Sequence, residues 1–436
     1  LTAAVLHASV TTSVFLIGRF GLMPGQFSQN GLGNFAADGF GYQTEVVELC
    51  SVLKNEGVMA WATWPTQLHL RLYSLPLFAL NGRTTFNILT IEPLNLIYYL
   101  AILVMVFKMG QIVFNYRTGL VAATMVALWP SFLMHTTQLL RDPLLVSAVL
   151  LLMLTITLSL ERDYAWRRGI LIGAAATGAI VLIRIVRLPM WAMLLTIVVL
   201  AVLFLVIRLI RRRRFPLGNV AFAVIMITAS AVTPRFQNAF HNQQMVNRPR
   251  IILPEEVDKL SVAEQIATRR HAFELTLDSS GGGVPSAAGS DIDPGVRFES
   301  VADIIRHLPR AAVVGFFAPF PNMWFSAGKE VGASGRLLSG FETLLTYVIE
   351  CLALFGLWRQ RKHLSAWLLF LAVTLGAVAL GLVVTNIGAL FRLRYPFWTL
   401  LIILGAGGAD YLLPRSTRAA GAGGGFSEQP SGTFHS

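Results

Sequence analysis

Long apolar stretches separated by short polar joints make up most of this chain. A helix that crosses a bilayer needs roughly 20 predominantly apolar residues. About ten segments reach or approach that length: 2–18, 86–107, 119–139, 142–160, 169–186, 188–209, 217–233, 336–358, 364–384 and 395–413. Lipid offers a bare backbone no hydrogen bonds, so these segments are predicted to be helices. No stretch shows the period-two alternation of a membrane barrel strand. The predicted architecture is all-α and polytopic, with about ten transmembrane helices. It divides into an N-terminal membrane core over 1–233 of about seven helices, with a long loop at 20–85, and a second long loop over 234–335. C-terminal membrane helices over 336–413 and a tail over 414–436 follow. The tail is small, polar and Gly-rich, a composition that predicts disorder.

Composition agrees with the pattern. Of 436 residues, 55% are hydrophobic and 13% charged, which excludes an ordinary soluble domain. The formal charge of +12 is compatible with nucleic acid, but its placement is not. Short joints carry Lys108 and Arg117, then Arg162, Arg167 and Arg168, then Arg211 to Arg214, then Arg359, Arg361 and Lys362, and finally Arg415 and Arg418. With ten spans these clusters fall on one side, which the positive-inside rule makes cytosolic. They read as topology anchors, and no nucleic-acid partner is expected. Both termini are then cytosolic and both long loops lie on the opposite face. The expected location is a membrane, most naturally a bacterial inner (plasma) membrane. The chain opens at Leu1 inside an apolar stretch, and a few preceding residues are expected.

The loops are not uniformly polar. In the first, the run LHLRLYSLPLFAL over 68–80 is too short and interrupted to cross alone, and reads as an interfacial or partly inserted helix. In the second, LDSSGGGVPSAAGSDIDPG is a flexible linker. It is preceded by a short amphipathic helix and followed by ESVADIIRHLPR, a helix expected to end at its proline boundary. The apolar segment 311–326, broken by Pro319 and Pro321, suits a re-entrant or interfacial position. No internal repeat is visible, which weakens a transporter built from inverted halves.

Cysteine and histidine point nowhere in particular. Cys50 and Cys351 form no framework, and His241 and His271 lie thirty residues apart without a helper. No metal site and no cofactor are expected.

Five arginines carry the candidate chemistry. Arg141, Arg184, Arg187, Arg392 and Arg394 sit where spans meet the face away from the cytosol, and all five are Arg rather than Lys. A guanidinium fork holds phosphate oxygens bidentately. Arg184 and Arg187 are three apart and predicted to share a helix face. Snorkelling to the interface accounts for any one of them alone. Five together point to an anionic ligand, and a lipid-linked phosphate fits best. In the first loop, GNFAADGFGYQTEVVEL sets Asp38, Tyr42 and Glu45 on one predicted helix face, with Glu48 following at helical spacing. Asp38 reads either as an N-cap or as a carboxylate base at the membrane surface. Asp142 before Pro143 reads as a capping carboxylate at a helix start. Tyr395 and Asn386 flank the last arginine pair.

The order of these features resembles the polytopic type C glycosyltransferases (GT-C fold), particularly bacterial relatives of protein mannosyltransferases and lipid A aminoarabinose transferases. The likeness rests on ADGFGY after span one and SLPLFALNG before span two. It extends through NYRTGLVAATMVALWPSFLMHTTQLLRDPLLV and, more weakly, FRLRYPFWTLLIILGAGG. It covers about residues 1–210 in layout, and order carries it more than any one string. The resemblance implies a sugar moved from a polyprenyl-phosphate donor to an acceptor glycan, lipid or protein on the non-cytosolic face. It implies Asp38 as catalytic base and carrier-phosphate binding by Arg141, Arg184, Arg187, Arg392 or Arg394. Tyr42, Glu45, Asp142 and Tyr395 stand as supporting residues. This chain departs from the family in lacking an Asp-Glu pair at the base position and a large C-terminal domain. A flippase or transporter of lipid-linked saccharides, or a polymerase or ligase acting on them, are the alternatives.

Overall fold

In a computed structural model of the protein, residues 1–80, 85–213, 215–244, 260–277, 283–285, 291–325 and 332–412 are described. The tail over 414–436, most of the Gly- and Ser-rich linker, and Arg214, Arg415 and Arg418 lie outside them. Helices dominate: α1 (Thr2–Arg19), α2 (Asp38–Asn55), α3 (Val58–Thr63), α4 (Leu68–Ala79), α5 (Ile88–Val113), α6 (Tyr116–Ala127) and α7 (Pro130–Thr136) come first. There follow α8 (Asp142–Glu161), α9 (Trp166–Val186), α10 (Trp191–Arg212), α11 (Leu217–Gln244), α12 (Val262–Glu274) and α13 (Val301–Phe317). The last are α14 (Gly332–Arg359), α15 (Leu364–Val383), α16 (Ile387–Leu393) and α17 (Tyr395–Leu412). Among the described residues the named strands form one short antiparallel ribbon, Leu275–Leu277 with Gly283–Pro285.

Among the described residues, seven helices are long and apolar enough to cross a membrane, or up to nine if each of two bent pairs counts as one span. This is an integral membrane protein by length and composition. The segment expected at 119–139 is not a simple rod: it is α6 and α7 bent by 67°. The segment expected at 395–413 is a single helix, α17, joined to α16 at a bend of 59°. Pro130 accounts for the first bend, since it lacks an N–H and restricts Trp129 to an extended conformation. α1 forms over the first expected span, but it is not among the candidate spans. It buries His7 and Thr11, and both reach Glu92 of α5, at 2.8 and 2.7 Å.

The proline expected to end a helix at Pro309 does not: α13 runs through it to Phe317. Its start is fixed by a capping box in which Ser300 and Asp303 satisfy each other's backbone N–H groups. Packing then overrides the local penalty, because α13 lies along α15 at very close range. A Cβ on Gly315 would strike the Ala377 carbonyl, and one on Gly381 the Ala311 carbonyl. Small residues that let backbones approach are a main source of helix association in lipid. Gly381→Val is therefore expected to separate the two helices and lower the unfolding midpoint in detergent by several degrees. An unchanged midpoint would show that α13 is not seated there.

The joints sort into two ends. Arg208 is ion-paired to Asp163, Asn219 accepts from the Tyr164 N–H at 3.0 Å, and Ser365 donates to Glu161 at 2.5 Å. Those contacts gather the Arg-rich joints at one end of the bundle. Arg141, Arg187 and Arg392 lie at the other.

Candidate functional site

α8 begins at Asp142, with Arg141 as its N-cap residue and no side-chain cap. Asp142 is thus the first helical residue, and the capping role expected of its carboxylate is not what it does. It lies 3.5 Å from an Arg187 Nη and 4.0 Å from an Arg392 Nη, and is buried. Asp38 likewise opens α2 without capping it. Its Oδ2 accepts from Arg392 Nη1 at 3.0 Å, while the side chain stays 47% exposed. One carboxylate of this group is therefore open to a reactant and the other is not. Residues 38, 141, 142, 187 and 392, far apart in sequence, form one cluster.

The arginines divide. Arg187 caps α9 with φ −151° and ψ 82°, so it has left the helix and shares no face with Arg184, contrary to expectation. Arg184 turns onto the Trp191 ring, 4.6 Å from its centroid. Arg394 is buried, donates to the Ala318 carbonyl at 2.8 Å, and sits 4.0 Å over Phe391. The bend between α16 and α17 turns it away from Arg392 and toward Glu342 and Glu350 of α14. Neither Arg184 nor Arg394 joins the Asp142 cluster by an ion pair among the described residues. Arg141 does belong electrostatically, acting on both Asp142 and Arg187. Among the described residues its guanidinium makes no ion pair or hydrogen bond.

Tyr42 is buried, packs edge-on against His69 at 4.8 Å, and faces Arg187 and Arg392. Glu45 accepts from Thr66 at 3.2 Å. Tyr395 sits with its hydroxyl 3.0 Å from His135 Nδ1, and His135 in turn faces Arg392 and Asp142. Composition gave no reason to single out His135. Its signal is positional, since α7 carries it to the same end as Arg141.

Beside the cluster lies a cavity of about 880 Å³. Arg141 and Arg187 line it together with Glu45, Glu48, Trp64 and Gln67. Apolar groups from the start of α10 and the end of α15, Met190, Met193, Leu380 and Val383 among them, form much of the rest. A mostly apolar hollow with a few convergent polar groups is the usual form of a small-ligand site. Neither protein-family models nor curated proteins offer a match to this chain. The chemistry must therefore be argued from the site.

A wall of the cavity comes from the second long loop. Ile266, Arg269, Ala272 and Phe273 of α12 line it. The neighbouring Arg270 is buried and anchors α12, donating to the carbonyls of Leu382 at 3.0 Å and Asp293 at 2.7 Å. Sequence reading missed both arginines, because a basic pair in an amphipathic helix looks like a solvated face. Asp293 is also clamped by Arg310, through bonds of 2.8 and 2.9 Å. Hydrogen bonding from Arg310 holds its carboxyl below the ordinary value of 3.8, against the opposing effect of burial. A folded-state value below the unfolded one stabilises above the unfolded value and is lost as pH falls through the folded one. Amide protection over 291–317 is thus expected to hold at pH 5 and to weaken below about pH 4. Hydrogen exchange on Arg310→Met, expected to show weaker protection already at pH 5 and a flatter acid limb, checks the assignment.

Proposed function

We propose that this protein is a membrane glycosyltransferase of the GT-C kind, moving a sugar from a polyprenyl-phosphate donor to an acceptor on the non-cytosolic face. One observation carries the reading: the charge balance of the cluster. Within the cluster three guanidiniums (Arg141, Arg187 and Arg392) outnumber two carboxylates (Asp38 and Asp142) by one, and the cavity that Arg141 and Arg187 line is further lined by Arg269, Glu45 and Glu48. Among the described residues Arg141 makes no ion pair, and it lines the cavity. A sugar phosphodiester carries one negative charge, and the apolar lining suits the first part of a lipid tail.

In this reading Arg141 and Arg187 hold the phosphate. Arg392 keeps Asp38 in place through Oδ2, leaving Oδ1 for the acceptor hydroxyl. As the acceptor oxygen attacks the anomeric carbon, its proton passes to Asp38. The bond from that carbon to the phosphate oxygen breaks with its electron pair. Polyprenyl phosphate leaves with a second negative charge, which the fixed guanidiniums stabilise. A single displacement inverts the anomeric centre.

The test is direct. Purified protein in detergent is given radiolabelled polyprenyl-phosphate sugar and acceptor extracts. Label passing to an acceptor is the expected result. Label that binds but never moves with any extract would replace the enzyme with a transporter, whose lipid-phosphate clamp these arginines would be.

A further inference from the structure

The two carboxylates of the cluster are carried by separate stretches of backbone: the loop before α2 leads into Asp38, and the joint after α7 leads into Asp142. One side chain spans the gap between them. Gln138, fully buried, lies in the joint three residues before Arg141 and four before Asp142. Its Oε1 accepts from the Gly33 N–H at 2.9 Å, and its Nε2 donates to the Gly31 carbonyl at 3.4 Å and to Thr137 Oγ1 at 3.1 Å. Gly33 immediately precedes the turn Asn34–Ala36 that leads into α2. Gly39, in the first turn of α2, lies against the same joint, where a Cβ would come within 3.4 Å of the Leu139 carbonyl. The joint has a second support of its own. Tyr73 of α4 sets its hydroxyl 2.7 Å from Asn95 Oδ1 and 3.1 Å from the Leu140 carbonyl, and Asn95 of α5 donates to the Gln138 carbonyl at 3.3 Å. The loop is closed on itself through Ser28, which accepts from the Gly31 N–H at 2.9 Å and the Leu32 N–H at 3.1 Å, and it meets α5 where Ile88 N–H donates to the Asn30 carbonyl at 3.0 Å.

A primary amide both donates and accepts, so one buried glutamine can hold two backbones in a single pose. Each bond it loses leaves a buried donor or acceptor without a partner, which makes the pose costly to leave. Building on the glycosyl-transfer reading, we infer that Gln138 is a positioning residue. It sets the distance between the loop that presents Asp38 and the joint that presents Arg141 and Asp142, and so between the base and the phosphate clamp. Transfer needs the acceptor oxygen, the anomeric carbon and the leaving phosphate in line, and a misplacement of about 1 Å can cost about 10²-fold. Arg392 orients the Asp38 carboxylate, whereas Gln138 holds the backbone from which that carboxylate projects. Because Tyr73 and Asn95 hold the joint independently, loss of the Gln138 amide frees the loop and leaves Arg141 and Asp142 close to where they were. Loss of the Tyr73 hydroxyl loosens the joint instead.

Gln138→Met keeps the length and bulk of the side chain and removes its polar atoms. In the full chain in nanodiscs it is expected to speed hydrogen exchange over 28–36 by about tenfold, with protection over 144–156 as in wild type. Single-turnover transfer from a polyprenyl-phosphate sugar at saturating donor is expected to fall about 10–100-fold, with donor affinity within about twofold of wild type. Tyr73→Phe is expected to show the opposite split, a several-fold loss of donor affinity with the smaller loss in transfer at saturating donor. Unchanged exchange over 28–36 in Gln138→Met, or full transfer by it, overturns the positioning role and leaves the glycosyl-transfer reading standing. So does a loss of donor affinity as large as the loss of transfer, or lost protection over 144–156, since either makes Gln138 a general support of the fold. A wild type that moves no label to any acceptor removes the glycosyl-transfer reading, and this role of Gln138 with it.

Discussion

Asp38→Asn is expected to lower sugar transfer by about 10²–10⁴-fold while the protein folds and binds donor as before. Asn keeps the shape and still offers an oxygen to Arg392 Nη1, which lies 3.0 Å from Asp38 Oδ2. What it loses is the ability to take a proton. Asp38 is the exposed member of the pair of carboxylates, and Asp142 is buried among arginines. The same substitution at Asp142 should therefore act mainly on donor affinity and stability. Single-turnover transfer, measured with saturating donor, checks the distinction. Full turnover by Asp38→Asn would remove Asp38 as the base, and a loss confined to KM would make it a binding residue instead.

Arg392 is expected to be the most damaging arginine to lose. It faces both carboxylates, at 3.0 and 4.0 Å, and is only 18% exposed. Arg392→Met leaves Asp142 with Arg187 and Arg141, leaves Asp38 unanchored, and changes the balance of the cluster from one surplus cation to none. Transfer should fall by about 10²–10³-fold, the size of effect seen when a preorganised charge partner is removed. Part of that loss is misplacement of Asp38, and a second variant separates it. Pairing Arg392→Met with Asp142→Asn restores the surplus charge without restoring the hold on Asp38. If the double variant regains donor binding but not transfer, Arg392 acts chiefly by positioning the base. If it regains both, its role is electrostatic balance. Arg184→Met, whose guanidinium stacks on Trp191, should change transfer far less.

Much of the fold was legible because hydrophobic length is a direct physical demand of the bilayer. The long apolar runs became helices close to where they were read: 142–160 became Asp142–Glu161 and 364–384 became Leu364–Val383. The bends were not legible as bends. Pro130 and the Arg-Leu-Arg-Tyr stretch mark them, but either is equally compatible with a helix end. Pro309 shows the reverse error, since its local preference for a boundary yielded to the Gly315 and Gly381 contact with a helix about seventy residues on. In the site, the residue type was readable and the grouping only in part. Arginines at helix ends read as marking an anion site, and that reading treats Arg392 and Arg394 alike. His135, Arg269 and Arg270 were out of reach for a different reason. Each matters through a neighbour that lies distant in the chain.

The bend at 59° between α16 and α17 has a consequence for length rather than for composition. Two arginines separated by one leucine face different company: Arg392 the carboxylates of α2 and α8, Arg394 a backbone carbonyl beside α14. Each residue added or removed in a helix rotates everything beyond it by about 100°. A one-residue deletion within 387–391 would swing both guanidiniums out of place together, stranding Asp38 and emptying the partner of Ala318 in one step. The short helix Ile387–Leu393 is thus a spacer whose count of residues matters more than their identity, and single deletions there should be more harmful than most single replacements.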